Sequence, residues 1–225
     1  MAEPGVVIRD VFGGLEIFTS LTYLALDGTP VTDADLIHVK GLTRLRELWL
    51  VGTTVTDAGL VYLNEFQELQ LLVLNGTQVT GPGFDQLRGL AHLQSLYVIG
   101  TPVTDAGLVH LQNLPSLSGL SLACTQVTDA GLSKRQGIPR LEDLHFGGTK
   151  ITDAGLIQRK LLPKLRKLDL SGTSITDMGL VQLNEFAGLR GITPNTTQIT
   201  DAGLVHLKQL TRPLWLELSG TQGHG

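Results

Sequence analysis

Three residues whose side chains could support hydrolysis follow one another at a constant spacing in this 225-residue chain. They are Ser121, His145 and Asp169, and each follows the previous one by 24 residues. A serine, a histidine and an aspartate can act as the nucleophile, the base and the orienting carboxylate of a hydrolase. With Asp143, the same histidine and aspartate could also be metal ligands. Both hypotheses depend on the elements that position these side chains.

The 24-residue spacing belongs to an internal repeat that covers almost the whole chain. Such a period is typical of a solenoid, in which each unit covers the hydrophobic face of its neighbour. We expect an N-terminal cap at residues 1–20, eight repeats at residues 21–212, and a partial ninth repeat at residues 213–225. The leucines that open the eight repeats, at position 1 of 24, are Leu21, Leu45, Leu69, Leu93, Leu117, Leu141, Leu165 and Leu189.

The two halves of each repeat have different periodicities. Apolar residues at positions 4 and 6 alternate with positions 3, 5 and 7, which predicts a short β-strand. In the second half, apolar residues recur at every third position, which predicts a short helix with a tight turn. Threonine at position 12 can cap this helix, and aspartate at position 13 can interact with its dipole. We therefore interpret these aspartates as structural residues and not as ligands.

The bend after each strand has its own conserved chemistry within the chain. Position 9 is threonine in every repeat, and we expect its hydroxyl to satisfy backbone groups of the bend. Position 8 is glycine except at Cys124 and Thr196. Because a β-branched threonine resists positive φ, we expect position 8 to require small size more than a left-handed backbone. We expect the thiol of Cys124, the only cysteine, to be packed or partly covered.

The pattern LxxLxLxGTx(V/I)TDAGLxxLxxLxx resembles the leucine-rich repeat family. Its TDAGL half is most similar to the repeats that follow F-box domains and to related bacterial repeat proteins. The resemblance implies an α/β solenoid, a curved right-handed β-α superhelix. It also implies a parallel sheet on the concave face and short helices on the convex face. The chain departs from the commoner family pattern at position 9, where threonine stands for asparagine.

The outward strand positions 3, 5 and 7 vary most, so they form the candidate recognition surface. Exposed apolar clusters usually mark binding sites, and tryptophan and tyrosine are common anchors. Our main hypothesis is a non-enzymatic scaffold that binds a protein or peptide along the concave sheet. The alternative for the apolar patch is coverage by a flanking part of a longer protein. The predicted contacts are the apolar residues Trp49, Val51, Leu71, Val73, Tyr97 and Ile99, with Asp143, His145, Lys167 and Asp169 tuning specificity.

Two alternative functions stay open. A hydrolase could use Ser121, His145 and Asp169, although parallel strands hold such side chains side by side and no oxyanion donors are evident. One imidazole and two carboxylates on an open surface make a poor metal site, so we expect no metal and no cofactor. The chain could also be an oligomer-forming repeat unit, because the partial ninth repeat would leave an uncapped C-terminal strand edge. A fragment of a longer protein would explain the same edge.

Charge and hydropathy argue against several other partners. The net charge is only −4, and the basic residues between Ser133 and Lys167 have no interleaved aromatics. We therefore do not expect nucleic acid to bind. No apolar run is long enough to span a membrane, and the first residues do not form a signal peptide. These features predict no membrane partner and, by default, a cytoplasmic location.

Overall fold

Each repeat contributes one strand and one short helix, as its two periodicities predict. The computed structural model describes residues 20–133, 138–157, 162–209 and 215–220. The strands pair in parallel and in chain order within a single sheet. They are β1 Tyr23–Ala25, β2 Glu47–Trp49, β3 Leu71–Val73, β4 Ser95–Tyr97, β5 Gly119–Ser121, β6 Asp143–His145, β7 Lys167–Asp169, β8 Gly191–Thr193 and β9 Trp215–Leu216.

The helical half of the repeat changes type along the chain. The first three repeats contain 3-10 helices at Asp35–Val39, Gly59–Glu65 and Pro82–Gly89. The later repeats contain α-helices: α1 Asp105–Leu111, α2 Asp129–Leu132, α3 Asp153–Leu156, α4 Asp177–Leu183 and α5 Asp201–Leu204, with a 3-10 helix at Val205–Gln209 after α5. The predicted α/β solenoid is confirmed, with the sheet on one face and the helices on the other.

A continuous hydrophobic core lies between the sheet and the helices. In the second repeat, Leu45, Leu48 and Leu50 are completely buried on the strand side, and Leu60 and Leu63 are completely buried on the helix side. In-register pairing brings each strand leucine beside its equivalent in the next repeat. Because one strand and one short helix cannot enclose their own leucines, stacking of the repeats provides the burial that stabilises them.

The threonine at position 9 has the role that the sequence predicts. Its hydroxyl donates to the position-6 carbonyl of its own repeat, for example from Thr53 Oγ1 to Leu50 O at 2.8 Å. These bonds stay within one repeat, so they brace each bend separately. The same bond is made by Thr29, Thr53, Thr77, Thr101, Thr125, Thr149, Thr173 and Thr197.

The prediction for position 8 is wrong. Its glycines have positive φ, for example 68° at Gly52 and 67° at Gly148, and the two exceptions have it too. Cys124 has a φ of 56° and Thr196 a φ of 54°. The bend therefore imposes a left-handed backbone even on a β-branched residue. The prediction for the thiol is also wrong, because Cys124 is exposed.

The aspartates at position 13 connect each repeat to the next. Asp129 accepts a hydrogen bond from Thr152 N at 2.9 Å and another from Thr152 Oγ1 at 2.6 Å. Thr152 also caps its helix, because Oγ1 accepts from Ala154 N. The predicted threonine cap is thus confirmed here, and the carboxylate is a bridge between repeats. Equivalent pairs are Asp33–Thr56, Asp57–Thr80, Asp105–Thr128, Asp153–Thr176 and Asp177–Thr200.

Glycine at position 15 leaves room for this carboxylate. A Cβ added to Gly155 would lie 2.5 Å from Asp129 Oδ1, which is closer than real atoms approach. The third repeat is the exception, because its position 13 is Gly81. A Cβ on Gly81 would lie 2.5 Å from the Cα of Gly107, so the third and fourth repeats meet directly through their backbones.

The eighth repeat contains a proline at position 6, where a strand distortion is expected. β8 nevertheless keeps three residues and pairs fully with β7. In the preceding repeat, Leu170 N donates to Thr193 O at 2.9 Å, and Pro194 has no N–H for the equivalent bond to the next strand. The predicted cap at residues 1–20 lies, apart from Ser20, outside the described residues. Within the described ranges, no helix is long and apolar enough to cross a membrane.

Candidate protein-binding surface

An aromatic patch lies on the first four strands. The strand register places Trp49, Val73 and Tyr97 beside one another at position 5. Trp49 and Tyr97 are partly exposed, whereas Val73 is only 1% exposed between them. Val73 therefore supports its larger neighbours and offers no surface of its own. The other predicted apolar contacts are accessible: Leu71 and Val51 are partly exposed, and Ile99 is 37% exposed.

Tyr23 extends this patch, although it is absent from the predicted contact set. It occupies position 3 of β1, is 51% exposed, and its ring centroid lies 6.4 Å from that of Trp49. The signal that could have found it is the outward strand position that it shares with Leu71. A further exposed aromatic residue, Trp215, lies on β9 at the other edge of the described sheet. It is 60% exposed and is therefore accessible for contact.

The predicted polar residues form a compact charged cluster on β6 and β7. His145 Nε2 lies 3.0 Å from Asp143 Oδ1, and His145 Nδ1 lies 3.6 Å from Asp169 Oδ2. Asp143 Oδ1 is buried and receives no aligned hydrogen bond from any described residue, so the 3.0 Å contact acts as an ion pair. Lys167 Nζ is 4.0 Å from Asp143 Oδ2 and remains largely exposed.

The pKa values of this cluster follow from its mutual contacts. Asp143, and then Asp169, raise the pKa of His145 to about 9 in spite of partial burial. The contact with His145 also holds the pKa of Asp143 below its usual range. Burial alone would raise the pKa of Asp169, but contacts with His145 and Ser171 outweigh it and leave that pKa lowered. At neutral pH the cluster is therefore an imidazolium between two carboxylates.

This geometry does not support hydrolysis. Both ring nitrogens of His145 face carboxylates, and a protonated imidazole cannot accept the proton of a serine. Ser121 is also only 4% exposed, although β5 places it directly beside His145. Among the described residues, no group of three or more histidine, cysteine, aspartate or glutamate side chains could hold a metal ion.

The basic segment after Ser133 is only partly described. Lys134, Arg135, Arg159 and Lys160 lie outside the described residues. Arg166, which is described, pairs with Glu142 at 3.2 Å. The charge of this arginine is thus balanced by a carboxylate of the neighbouring repeat.

Comparison with known proteins agrees with the repeat pattern and the sheet. A family model described as a leucine-rich repeat matches residues 162–183, close to the length of one repeat. The chain has a leucine-rich repeat fold. An internalin C2 from Listeria monocytogenes has a structure similar to that of this chain, with a TM-score of 0.69 and 22% sequence identity. The similarity covers 94% of this chain and 90% of the internalin, and at this identity it shows the fold alone. No curated protein sequence matches the chain.

Proposed function

We propose that this leucine-rich repeat protein is a non-enzymatic scaffold that binds a protein or peptide along its concave sheet. Trp49 and Tyr97 are the anchors of this surface, and Asp143, His145, Lys167 and Asp169 contribute specificity. The repeat match and the shared solenoid fold support a protein-interaction scaffold in general. Solenoids of this kind use their extended concave surfaces for binding.

The observation that carries the proposal is the in-register row of Trp49, Val73 and Tyr97. Val73 lies between the two aromatic residues in the register and is buried, and each aromatic side chain keeps part of its surface exposed. Tryptophan and tyrosine offer a large contact area with few rotatable bonds, so ordering them on binding costs little conformational entropy. A partner that covered this row would bury apolar area without rearranging the sheet.

We expect the charged cluster to contribute more to the specificity of binding than to its affinity. His145 is already paired with Asp143 and Asp169, so a new charge at this site would have to compete with existing contacts. Lys167 is the exception, because its side chain is 68% exposed. We expect it to contribute a contact at the rim, where charges change association rates more than affinity.

Selection from a displayed random-peptide library tests the proposal. Peptides that bind the wild-type protein are synthesised, and their Kd is measured for Trp49→Ala, Tyr97→Ala and Met178→Ala. Loss of either anchor should weaken binding by roughly tenfold or more. Met178 is the control, because it is 65% exposed on α4 and lies on the opposite face from the sheet.

Circular dichroism establishes that the three variants keep the fold, so that weaker binding reports the loss of a contact. If every selected peptide bound Trp49→Ala and Tyr97→Ala as tightly as the wild type, the anchors would be wrongly assigned. Turnover of ester substrates that depended on His145 would instead support the hydrolase.

A further inference from the structure

We propose that Tyr23, Trp49 and Glu47 form a site for a lysine or arginine side chain of the bound partner. This inference rests on the proposed function, since it assigns a chemical preference to one end of the same surface. It follows from three observations on β1 and β2. They are the arrangement of two aromatic rings, a carboxylate beside them that no described residue pairs with, and the absence of basic side chains at the outward positions of these strands.

The two rings form an open corner. Their planes are inclined by 55° and their centroids are 6.4 Å apart, so they are not stacked face to face. Ala25, which pairs directly with Trp49, is small and exposed and leaves space beside the indole. The face of an aromatic ring attracts a cation within about 6 Å of its centroid, and tryptophan does so most strongly. A corner of two such rings can therefore hold an ammonium or guanidinium group.

Glu47 supplies the negative charge at this corner. The strand register places it between Tyr23 on β1 and Leu71 on β3, and Trp49 lies two residues later on the same face. The side chain is partly buried, and no described residue makes an ion pair or hydrogen bond with its carboxylate. Arg46 precedes it in the chain, and alternation along the strand directs that side chain to the other side.

The other carboxylates of the surface provide a comparison. Asp143 and Asp169 share the His145 cation, and Asp27 accepts a hydrogen bond from Val51 N at 2.8 Å. Glu47 alone among these four lacks such a contact from a described residue. Because a partly buried carboxylate without a partner is unfavourable, a partner that supplies a cation gains from satisfying it.

Charge complementarity selects the occupant. The outward positions of β1 and β2 hold two carboxylates and no lysine or arginine; these positions are Tyr23, Ala25, Asp27, Glu47, Trp49 and Val51. An apolar side chain would cover the rings but leave Glu47 unpaired, and an anion would be repelled. A basic side chain can place its charge against the carboxylate and its methylene stem against the rings.

Tryptophan fluorescence tests this site directly. The chain has two tryptophans, so Trp215→Phe makes Trp49 the only one. This protein is titrated with Nα-acetyl-arginine amide and with Nα-acetyl-lysine amide. The control ligand is Nα-acetyl-citrulline amide, which has the shape of the arginine compound without its charge. We expect a saturable change with the cations at roughly millimolar concentration. Binding should be about fivefold or more weaker for citrulline, and added salt should weaken the binding of the cations.

Glu47→Gln in the same background identifies the carboxylate, and it should lower the affinity for both cations by about fivefold or more. Glu217→Gln is the matched control, because Glu217 is an exposed carboxylate beyond β9, at the other end of the sheet. Equal binding of citrulline and arginine, or unchanged arginine binding in Glu47→Gln, would overturn the inference. The proposed function would survive that result if the selected peptides still required Trp49 and Tyr97.

Discussion

Replacing Asp129 by alanine tests whether the carboxylate bridges stabilise the solenoid. The side chain accepts two hydrogen bonds from Thr152, at 2.9 Å from the backbone nitrogen and at 2.6 Å from the hydroxyl. The two residues are 23 positions apart in the chain, so the bridge connects neighbouring repeats and not parts of one repeat. Alanine removes both acceptors and leaves the Thr152 N–H without its partner.

The expected cost follows from these two bonds. A hydrogen bond to a charged group contributes about 1.5–3 kcal/mol, and the partial exposure of this pair places each bond toward the lower end. The free energy of unfolding should therefore fall by about 3 kcal/mol. For a chain of this length, each kcal/mol corresponds to a change in Tm of about 2–4 °C, so we expect Tm to fall by roughly 6–12 °C.

Urea unfolding and differential scanning calorimetry measure these changes. Asp201→Ala is the matched control, because Asp201 occupies the same repeat position and is exposed without a bridge to any described residue. It should change stability by less than about 0.5 kcal/mol. Comparison of the m-values shows whether a variant has lost cooperativity and not only stability.

A double-mutant cycle with Gly155 makes the test specific to the bridge. In the wild type, Gly155→Ala should be destabilising, because the new Cβ would lie 2.5 Å from Asp129 Oδ1. In the Asp129→Ala background that collision is gone, and the higher helix propensity of alanine should offset much of the remaining cost. If Asp129→Ala cost no more than Asp201→Ala, or if the effects of Asp129→Ala and Gly155→Ala were additive, the bridge would not have the assigned role.

Two further predictions concern the bend and the charged cluster. Thr196→Gly should raise the free energy of unfolding by about 0.5–1 kcal/mol, because a φ of 54° strains a β-branched residue. Gly100→Ala should lower the free energy of unfolding, because Gly100 occupies the same left-handed position. A lower Tm for Thr196→Gly would contradict the reasoning. The pKa of His145 is raised from 6.5 to about 9, so its charge stabilises the fold fully below pH 6.5, and this contribution is lost as the pH rises through about 9. His145→Gln should remove this part of the pH dependence of Tm, and an imidazole NMR titration with a midpoint near 6.5 would refute the assignment.

The regular spacing of leucines was sufficient to predict the fold. Leu48 and its equivalents recur at one position of every repeat, and an in-register parallel sheet is the arrangement that buries all of them together. The alternation of outward and inward positions also placed Trp49, Tyr97 and His145 on one face. These predictions needed only the direction of each side chain, which follows from the period of a strand.

Contacts between successive repeats were harder to predict. The sequence places the aspartates at position 13 near the dipole of their own helix, whereas in the structure Asp129 also accepts hydrogen bonds from a threonine in the next repeat. Exposure also differs between outward positions: Val73 is buried where it stands between two aromatic residues, whereas Tyr23 is exposed on the strand that also holds the small Ala25. Thr196 adopts a left-handed backbone that its β-branched side chain disfavours, because the other bonds of the bend outweigh the strain of one residue.

The close approach of Gly81 and Gly107 has a consequence for how the chain can change length. An aspartate of one repeat and a threonine of the next recur at six junctions, so deleting or duplicating a unit among them would recreate the same bridge. The third and fourth repeats differ, because an aspartate at Gly81 would collide with the backbone of Gly107. The outer sides of the same two units carry the ordinary bridges Asp57–Thr80 and Asp105–Thr128, so only the junction between the third and fourth repeats constrains which unit an evolving or redesigned array could place there.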